Sequence, residues 1–590
     1  MFDSKLYLRA AEELRENKGQ WDAYNSTGNC VVLAGPGSGK TKTLTIKLAR
    51  MLAEDVEEPR GLACITYNNE CARELETRLD VLGVQQDRRV FIGTVHSFSL
   101  TQIVLPYAKG ANLGLPDDFA IANQQQQEQV LGKAFSKVYG GGNPAPFKFD
   151  MNTYRRSILN RESKDWYGIN EKLAKLAEAY EAGLRDRGLI DFEDMPLLAV
   201  RALRDHEWIQ RALLAKFPIL AVDEYQDLGR ALHRMVLGLC FTTGMRLFAV
   251  GDVDQSIYGF NGAYPELLEQ LSKRPDVETI PLQMNYRCGS KIVAASEFAL
   301  GAGRGYQARQ GAPEGQVYFH PLQGAHAARA DHFFASIFPQ IQARNPSLRL
   351  GDIAFLYPTA KIGNAVADAA RARGLGIIRT DTNAIYPRSS RVMRWLEQCA
   401  LWCAGGWQKG TPRFSLMSAE GLRLFSEAIV GSEREAEFQQ GLVSMLWSRR
   451  NPDMKLHQWL TGCRQEFLND LFDRCRMLKD EQAILDSFSA RVSDDGDTSE
   501  MTLGLFAGVG EGTSRLVLST LHSAKGREFS IVVLFGMDAG EMPRFNQTQK
   551  QLLEARRLFY VGLTRAKSEV HMVYSGAAPS SFVREIQDRL

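Results

Sequence analysis

The sequence predicts an α/β protein built on parallel sheets, and three observations lead there. Short apolar runs rich in branched residues recur along the chain, helical stretches separate several of them, and the first run leads straight into a glycine-rich loop. Such runs read as strands buried on both faces, and their alternation with helices reads as strand–helix–strand units, which build doubly wound parallel sheets.

The runs are CVVLA (30–34), GLACIT (61–66), FIGT (91–94), ILAVDE (219–224), RLFAVGD (246–252), DIAFLY (352–357) and IVVLFG (531–536). TKTLTIKLARMLAE (41–54) and NECARELETRL (69–79) supply helices between the early ones. Between residues 100 and 215 the strand pattern gives way to apolar residues at three- and four-residue spacing, as in EKLAKLAEAYEAGLRDRG (171–188). That spacing predicts a helical insertion. Within it, YGGGNPAP (139–146) reads as a loop and QQQQEQ (124–129) as an exposed helix face. A second mostly helical stretch covers 384–510 and ends in the acidic loop SDDGDTSE (493–500).

At 590 residues the chain is too long for one core. A net charge of +2 neither demands nor excludes a nucleic-acid partner. The N-terminal segment is helical in pattern and carries acids, which argues against a secretory or transit peptide. No run approaches ~18 uninterrupted apolar residues, so no membrane span is expected and a cytoplasmic location is. The nine cysteines are scattered and odd in number, which points to reduced thiols. Cys399 and Cys403 can share a helix face but lack the second close pair that a zinc site needs.

The glycine-rich loop is AGPGSGKT, Ala34, Gly35, Pro36, Gly37, Ser38, Gly39, Lys40 and Thr41, set between a strand and a helix. In that context glycines let backbone N–H groups converge on phosphate oxygens, and the helix adds its positive N-terminal end. Lys40 then neutralises the β and γ phosphates of ATP, and Thr41 offers its hydroxyl to Mg²⁺. Ala34 stands where the general pattern has its first glycine. The strand ILAVDEYQD (219–227) delivers two adjacent carboxylates at its end, Asp223 to hold Mg²⁺ and Glu224 to polarise the attacking water.

The loop followed by a DExQD-type motif resembles the superfamily 1A helicases of the UvrD/Rep/PcrA family, and further motifs appear in that family's order across nearly the whole chain. The resemblance assigns Gln20 to reading adenine. In VGDVDQSIYGFNGA (250–263) it assigns Gln255 to sensing the γ-phosphate and Phe260 to stacking on a base; in LQMNYRCGS (282–290), Tyr286 to adenine and Arg287 to the γ-phosphate. In EARRLFYVGLTRAKSEV (554–570), Arg565 is the second γ-phosphate arginine. Guanidinium groups suit bidentate phosphate contact and stabilise charge in the transition state. For DNA, the resemblance implies Tyr67 and Asn68 in CITYNNECARELETRL (64–79), Thr94, His96 and Ser97 in GTVHSF (93–98), and His522 and Lys525 in TLHSAKGREFSIVVLFG (520–536), with Glu528 toward the ribose. Aromatic platforms with small hydroxyls suit sequence-independent single-strand binding.

The family implies two RecA-like P-loop domains: 1A over 1–100 and 215–280, and 2A over 281–383 and 511–590. Each carries a mostly helical insertion, 1B over 101–214 and 2B over 384–510. Arg287 and Arg565 then belong to the second core, and ATP sits between the cores. The expected activity is Mg²⁺-dependent ATP hydrolysis driving 3′ to 5′ movement on single-stranded DNA and opening of duplex at single-strand/duplex junctions. A repair or nuclease protein is the expected kind of partner. The alternative is a DNA-stimulated ATPase switch or scaffold subunit of a nuclease-containing complex, for example in phage defence, which would carry the same motifs. An unrelated P-loop enzyme is disfavoured, because no LSGGQ-like signature accompanies the loop. The chain departs from the family at Phe260 and Asn261, where Trp-Arg is usual, which predicts weaker base stacking and weaker coupling. Compact accessory domains and no C-terminal interaction tail are also expected.

Overall fold

The structure, a computed structural model, describes residues 4–67, 69–84, 89–116, 118–259, 262–387, 390–475, 478–494, 498–507 and 515–590. Asn68, Phe260, Asn261 and part of the acidic loop at 493–500 lie outside the described residues. The chain divides into two compact units. One comprises Met1–Gly315, Gln547–Thr564 and Arg589–Leu590; the other comprises Gln316–Asn546 and Arg565–Asp588.

The strands of the first unit are β1 (Cys30–Ala34), β2 (Leu62–Thr66), β3 (Val90–Thr94), β4 (Ala120–Ile121), β5 (Leu189–Ile190), β6 (Ile219–Val222), β7 (Arg246–Gly251), β8 (Glu278–Leu282), β9 (Met284–Asn285) and β10 (Gln307–Ala308). Six of them form a parallel sheet in the order β3-β2-β6-β7-β1-β8. Alternate side chains feed two cores, as the two-residue period of a strand requires. Val31, Ala63, Ile65, Leu220 and Val222 pack on one face, and Cys30, Val32, Leu62, Cys64 and Ala221 on the other. Edge strand β8 escapes the sequence pattern because only Ile280 and Leu282 are buried in ETIPL, with an exposed Pro281 between them.

The helical region has a core of its own, but a narrower one than the expected 101–214. That core gathers residues between Ala122 and Leu189, including Trp166, Tyr154 and Tyr180. The helices Asp194–Asp205 and Glu207–Lys216 instead pack against the parallel sheet through Leu198, Ala202, Ile209 and Leu213. Helix Gln124–Tyr139 begins with a reciprocal cap between Asn123 and Gln126, which assigns part of the glutamine run a local structural role. Buried Arg155 joins the helical core to the sheet-packed helix, reaching Glu181 at 2.8 Å, Asp191 at 2.7 Å and Asp194 at 2.8 Å.

The second unit contains β11 (Gln316–Leu322), β12 (Ile353–Tyr357), β13 (Ile377–Arg379), β14 (Leu516–Thr520), β15 (Phe529–Phe535) and β16 (Ala566–Ser575). They form a parallel sheet in the order β11-β16-β15-β12-β14-β13. Its helical core spans Tyr386 to Phe506 and buries Trp395, Trp459, Cys399, Cys403 and Cys463, all three cysteines as free thiols. Among the described residues no helix is long and apolar enough to cross a membrane.

The division between units does not coincide with the expected boundary at 280/281. Residues up to Gly315 and helix Gln549–Leu563 belong to the first unit, so Arg287, expected in the second core, shares a unit with the glycine-rich loop. The reason is local bonding: β9 pairs with β10, and the Tyr286 amide donates to the Gly37 carbonyl at 2.8 Å.

Candidate nucleotide and nucleic-acid site

The first sheet presents the C-terminal ends of β1, β6 and β7 side by side, where open α/β sheets place their ligand crevice. The loop after β1 turns through Gly37 (φ 66°) and Gly39 (φ 82°), left-handed conformations that cost a side-chain-bearing residue energy. Space is equally short. A Cβ on Gly35 would meet the Tyr306 ring at 2.4 Å, and one on Gly37 would meet Arg287 and Asn285 at 2.7 Å. Gly39 caps helix Lys40–Arg50, so free N–H groups point out of the helix start.

Lys40 extends from that start. Its ammonium lies 3.9 Å from Glu224 Oε1 and 4.0 Å from Asp252 Oδ2. It is buried without a hydrogen-bond partner. Three carboxylates surround this region, Asp223, Glu224 and Asp252, and burial pushes the Asp223 and Asp252 carboxyls up, helped at Asp223 by the charge of Glu224. Glu224 itself adopts a left-handed conformation (φ 51°, ψ 43°), unusual for a non-glycine residue and held here by the end of β6. Its carboxylate accepts from Gln226, whose Oε1 in turn accepts the Asp252 N–H at 2.9 Å. Gln255 donates to Asp252 Oδ2 at 2.6 Å, so the structure places the expected γ-phosphate sensor on the carboxylate that faces Lys40.

These residues fit Mg²⁺ and a nucleotide triphosphate. The glycines hold the loop backbone in a conformation and a packing that no Cβ would tolerate, the Lys40 ammonium lacks a hydrogen-bond acceptor, and the surplus of carboxylates over cations calls for added positive charge. Among the described residues no cluster of three or more His, Cys, Asp or Glu is arranged to hold a metal alone. A site built from Thr41 and Asp223 needs no such cluster, because Mg²⁺ keeps several waters and takes few protein ligands.

Around the cradle, Gln20 is buried and donates through Nε2 to the Ser38 carbonyl at 2.8 Å. Asn17 caps the helix that carries it and also donates to the Tyr286 hydroxyl at 2.9 Å. The Tyr286 ring, expected to meet adenine, is exposed, and its backbone is bonded to the loop at Gly37. Asn285 Oδ1 accepts the backbone N–H groups of Arg287 and Cys288 at 2.8 and 2.9 Å, and Arg287 Nη1 donates to the Thr564 carbonyl at 3.2 Å.

Sequence reasoning missed a further layer. Arg304 grips Asp254 through two hydrogen bonds of 2.9 and 3.0 Å, and the Tyr306 hydroxyl reaches the same carboxylate at 3.4 Å. No motif marks GAGRGYQARQ (301–310), so only the fold brings these residues to the loop. Asp252 and Asn285 were visible within quoted motifs, but nothing in their spacing signalled which atoms they serve.

Of the residues expected to meet nucleic acid, Tyr67 stacks on Tyr258 with ring centroids 5.2 Å apart and planes 18° apart. Thr94 caps a short helix by accepting the Ser97 N–H at 3.2 Å, and Ser97 Oγ donates to the Thr94 carbonyl at 2.9 Å. His96 packs on Phe192, and burial lowers its pKa to about 4, so it stands as a neutral ring. In the second unit, His522 and Lys525 lie on the turn after β14, where burial lowers the His522 pKa, and Glu528 pairs with Lys567 at 3.4 Å. Arg565 also belongs to the second unit, where its buried side chain donates to the Arg527 carbonyl at 3.3 Å.

A parallel sheet whose P-loop lysine faces a strand-end Asp-Glu pair defines a P-loop enzyme that hydrolyses nucleoside triphosphates. Residues 16–276 match the model of the UvrD/REP helicase N-terminal domain, and residues 507–577 match that of the UvrD-like helicase C-terminal domain. Together these matches cover more than half of the chain. The chain is 26% identical to the ATP-dependent DNA helicase Rep of Escherichia coli (strain K12), over 94% of this chain and 90% of that protein. It is likewise 26% identical to the ATP-dependent DNA helicase PcrA of Bacillus subtilis (strain 168), over 94% and 82%, and to DNA helicase II of E. coli K12, over 95% and 85%. The chain belongs to the UvrD/Rep/PcrA helicase family, and it is an enzyme of the ATP-hydrolysing helicase class.

Proposed function

We propose that this protein couples Mg-ATP hydrolysis to 3′ to 5′ movement along single-stranded DNA and opens duplex at single-strand/duplex junctions. The observation that carries the reading is the approach of the Lys40 ammonium, which has no hydrogen-bond partner, to the Glu224 and Asp252 carboxylates, in the same unit as the stacked Tyr67 and Tyr258 rings. The likenesses to Rep and PcrA, both ATP-dependent DNA helicases, support DNA as the track, and the direction of travel is taken from the motif resemblance.

In this mechanism Lys40 and the loop N–H groups orient the phosphates, while Thr41 and Asp223 hold Mg²⁺. The metal supplies charge neutralisation along the phosphate chain. Glu224, fixed by its left-handed backbone and by Gln226, takes the proton from the attacking water. Gln255 and Asp252 keep Lys40 in register, and Arg287, in the same unit, offsets the charge that develops on the transferred group; for Arg565 that role is carried by the motif resemblance alone. Tyr67 and Tyr258 give bases a face to stack on without reading their identity.

A strand-displacement assay with the purified chain tests the whole reading. Duplex carrying a 3′ single-stranded tail should be opened with ATP and Mg²⁺, and duplex with only a 5′ tail should not. Unwinding of the 5′-tailed substrate alone would reverse the assigned direction, and ATPase without any unwinding would reduce the protein to a DNA-stimulated ATPase.

A further inference from the structure

We propose that Glu554 is a positioning residue that couples the base-stacking segment to the phosphate-contacting arginine through helix Gln549–Leu563. The proposal rests on the functional reading above, with Tyr67 and Tyr258 as the strand platform and Arg287 as a phosphate contact.

Glu554 Oε1 accepts the Gly259 N–H at 3.0 Å across a sequence separation of 295. The carboxylate lies flush against the glycine, since a Cβ there would meet Glu554 Oε2 at 3.0 Å and its carboxyl carbon at 3.1 Å. Gly259 directly follows Tyr258, whose ring stacks on Tyr67. Gly259 and Tyr258 are also bonded to the chain that follows, the Gly262 N–H donating to the Gly259 carbonyl at 3.0 Å and the Ala263 N–H to the Tyr258 carbonyl at 3.2 Å. Lys550, one turn earlier on the helix, places its ammonium 5.0 Å from the Tyr264 ring, a second hold by this helix on the chain just past Ala263.

The other end of the helix meets the nucleotide side. Thr564, its C-cap, offers its carbonyl to Arg287 Nη1 at 3.2 Å and to Cys288 Sγ at 3.8 Å. Residue 286, the neighbour of Arg287, hydrogen-bonds Gly37 of the phosphate loop. Glu554 and Thr564 stand about 15 Å apart along the axis at the rise of an α-helix. Arg556 fastens the helix to the neighbouring helix Ser290–Leu300 by donating to the Ala299 carbonyl at 2.6 Å.

A hydrogen-bonded helix is stiff along its axis, so a shift of the Tyr258–Gly259 segment when a base stacks is transmitted to the Thr564 carbonyl and the guanidinium it holds. Glu554 needs only an acceptor oxygen for this, not a charge. Glu554 therefore governs how strongly a bound strand accelerates hydrolysis, without itself touching strand or nucleotide.

The test measures ATP turnover of the full chain with and without oligo-dT, together with oligo-dT affinity by fluorescence anisotropy. Glu554→Ala should reduce the stimulation at saturating oligo-dT about tenfold, a change of ~1.4 kcal/mol in barrier, while DNA-independent turnover and oligo-dT affinity stay within about twofold. Glu554→Gln, which keeps the acceptor, should retain the stimulation. Should Glu554→Ala prove unstable, Glu554→Asp withdraws the acceptor by one methylene and must show the same loss. Full stimulation in the Ala or Asp variant overturns the proposal, as does an equal fall in basal and stimulated turnover or a loss accounted for by weaker oligo-dT binding. A wild-type chain that oligo-dT does not stimulate would bring down the functional reading, and the coupling with it, before any variant is compared.

Discussion

The Lys40 ammonium lies 3.9 Å from the Glu224 carboxylate, close enough for strong attraction yet outside hydrogen-bond range. The Lys40 ammonium thereby keeps its hydrogen-bonding capacity for a third party, while the Glu224 carboxylate is held in place by Gln226. Lys40→Ala removes the phosphate contact, and Glu224→Gln removes the base while keeping its shape. Either should lower DNA-stimulated ATP turnover by about a hundredfold or more, with oligo-dT affinity largely retained. Steady-state ATPase and fluorescence anisotropy check both halves; full turnover by either variant contradicts the assigned roles.

Arg287 and Arg565 are expected to act on the transition state rather than on binding. Replacing either with Ala should lower kcat by about a hundredfold with a much smaller change in KM for ATP. The kcat against KM split distinguishes this from simple nucleotide binding, which would raise KM alone.

The Arg304–Asp254 pair supports the loop from behind. Asp254 is nearly fully buried, so Arg304→Ala leaves a buried carboxylate without its cation, and part of the loss is softened because Arg304 is 38% exposed. Denaturant unfolding should show a stability loss of about 1–3 kcal/mol. Because Tyr306 packs on Gly35, KM for ATP should rise as well. An unchanged KM would mean that this pair serves stability only.

Tyr67→Ala removes half of the stacked Tyr67–Tyr258 pair proposed as a platform for a base. Oligo-dT affinity should fall by about 1–3 kcal/mol, the range for one base–aromatic stack. Tyr67→Phe should keep most of it, and an equal loss in both variants would point to the hydroxyl instead of the ring.

Acid stability depends on neutral buried histidines. In the second unit His320 stacks on His571 with centroids 5.2 Å apart, bonds it at 3.0 Å, and His571 in turn bonds Glu569 at 2.9 Å. Burial lowers the His320 pKa to about 4, with His571 and Arg344 opposing its protonation further. The unfolded chain therefore binds this proton first, so the associated stability is fully present above pH 6.5 and is lost as the pH falls from 6.5 towards 4. His320→Gln should flatten this dependence by about 1–2 kcal/mol between pH 6.5 and 5. Chemical denaturation at the two pH values measures it, and an unchanged slope would refute the assignment.

Much of this was legible in the residues alone, and what was not follows a rule. CVVLA followed by AGPGSGKT is a local signal, since strand, turn and helix are consecutive and their periodicities report burial directly. Edge strand β8, with only two buried residues, gives no such period. The helical insertion was visible as a region, yet periodicity reports that a helix has an apolar face and not what that face meets. The helices Asp194–Asp205 and Glu207–Lys216 accordingly turned out to pack on the sheet.

By itself, then, the sequence determined two parallel-sheet cores, the phosphate loop, the carboxylate pair at the end of β6 and the family whose motif order it shares. Only the tertiary structure decided that Arg287 shares a unit with that loop, that Gln255 bonds Asp252, that Arg304 and Tyr306 buttress Asp254, and that Glu554 holds Gly259. The physical reason is range. Consecutive residues carry backbone preference and burial period in their own order, whereas a hydrogen bond between residues hundreds of positions apart exists only after the strand order has brought them together.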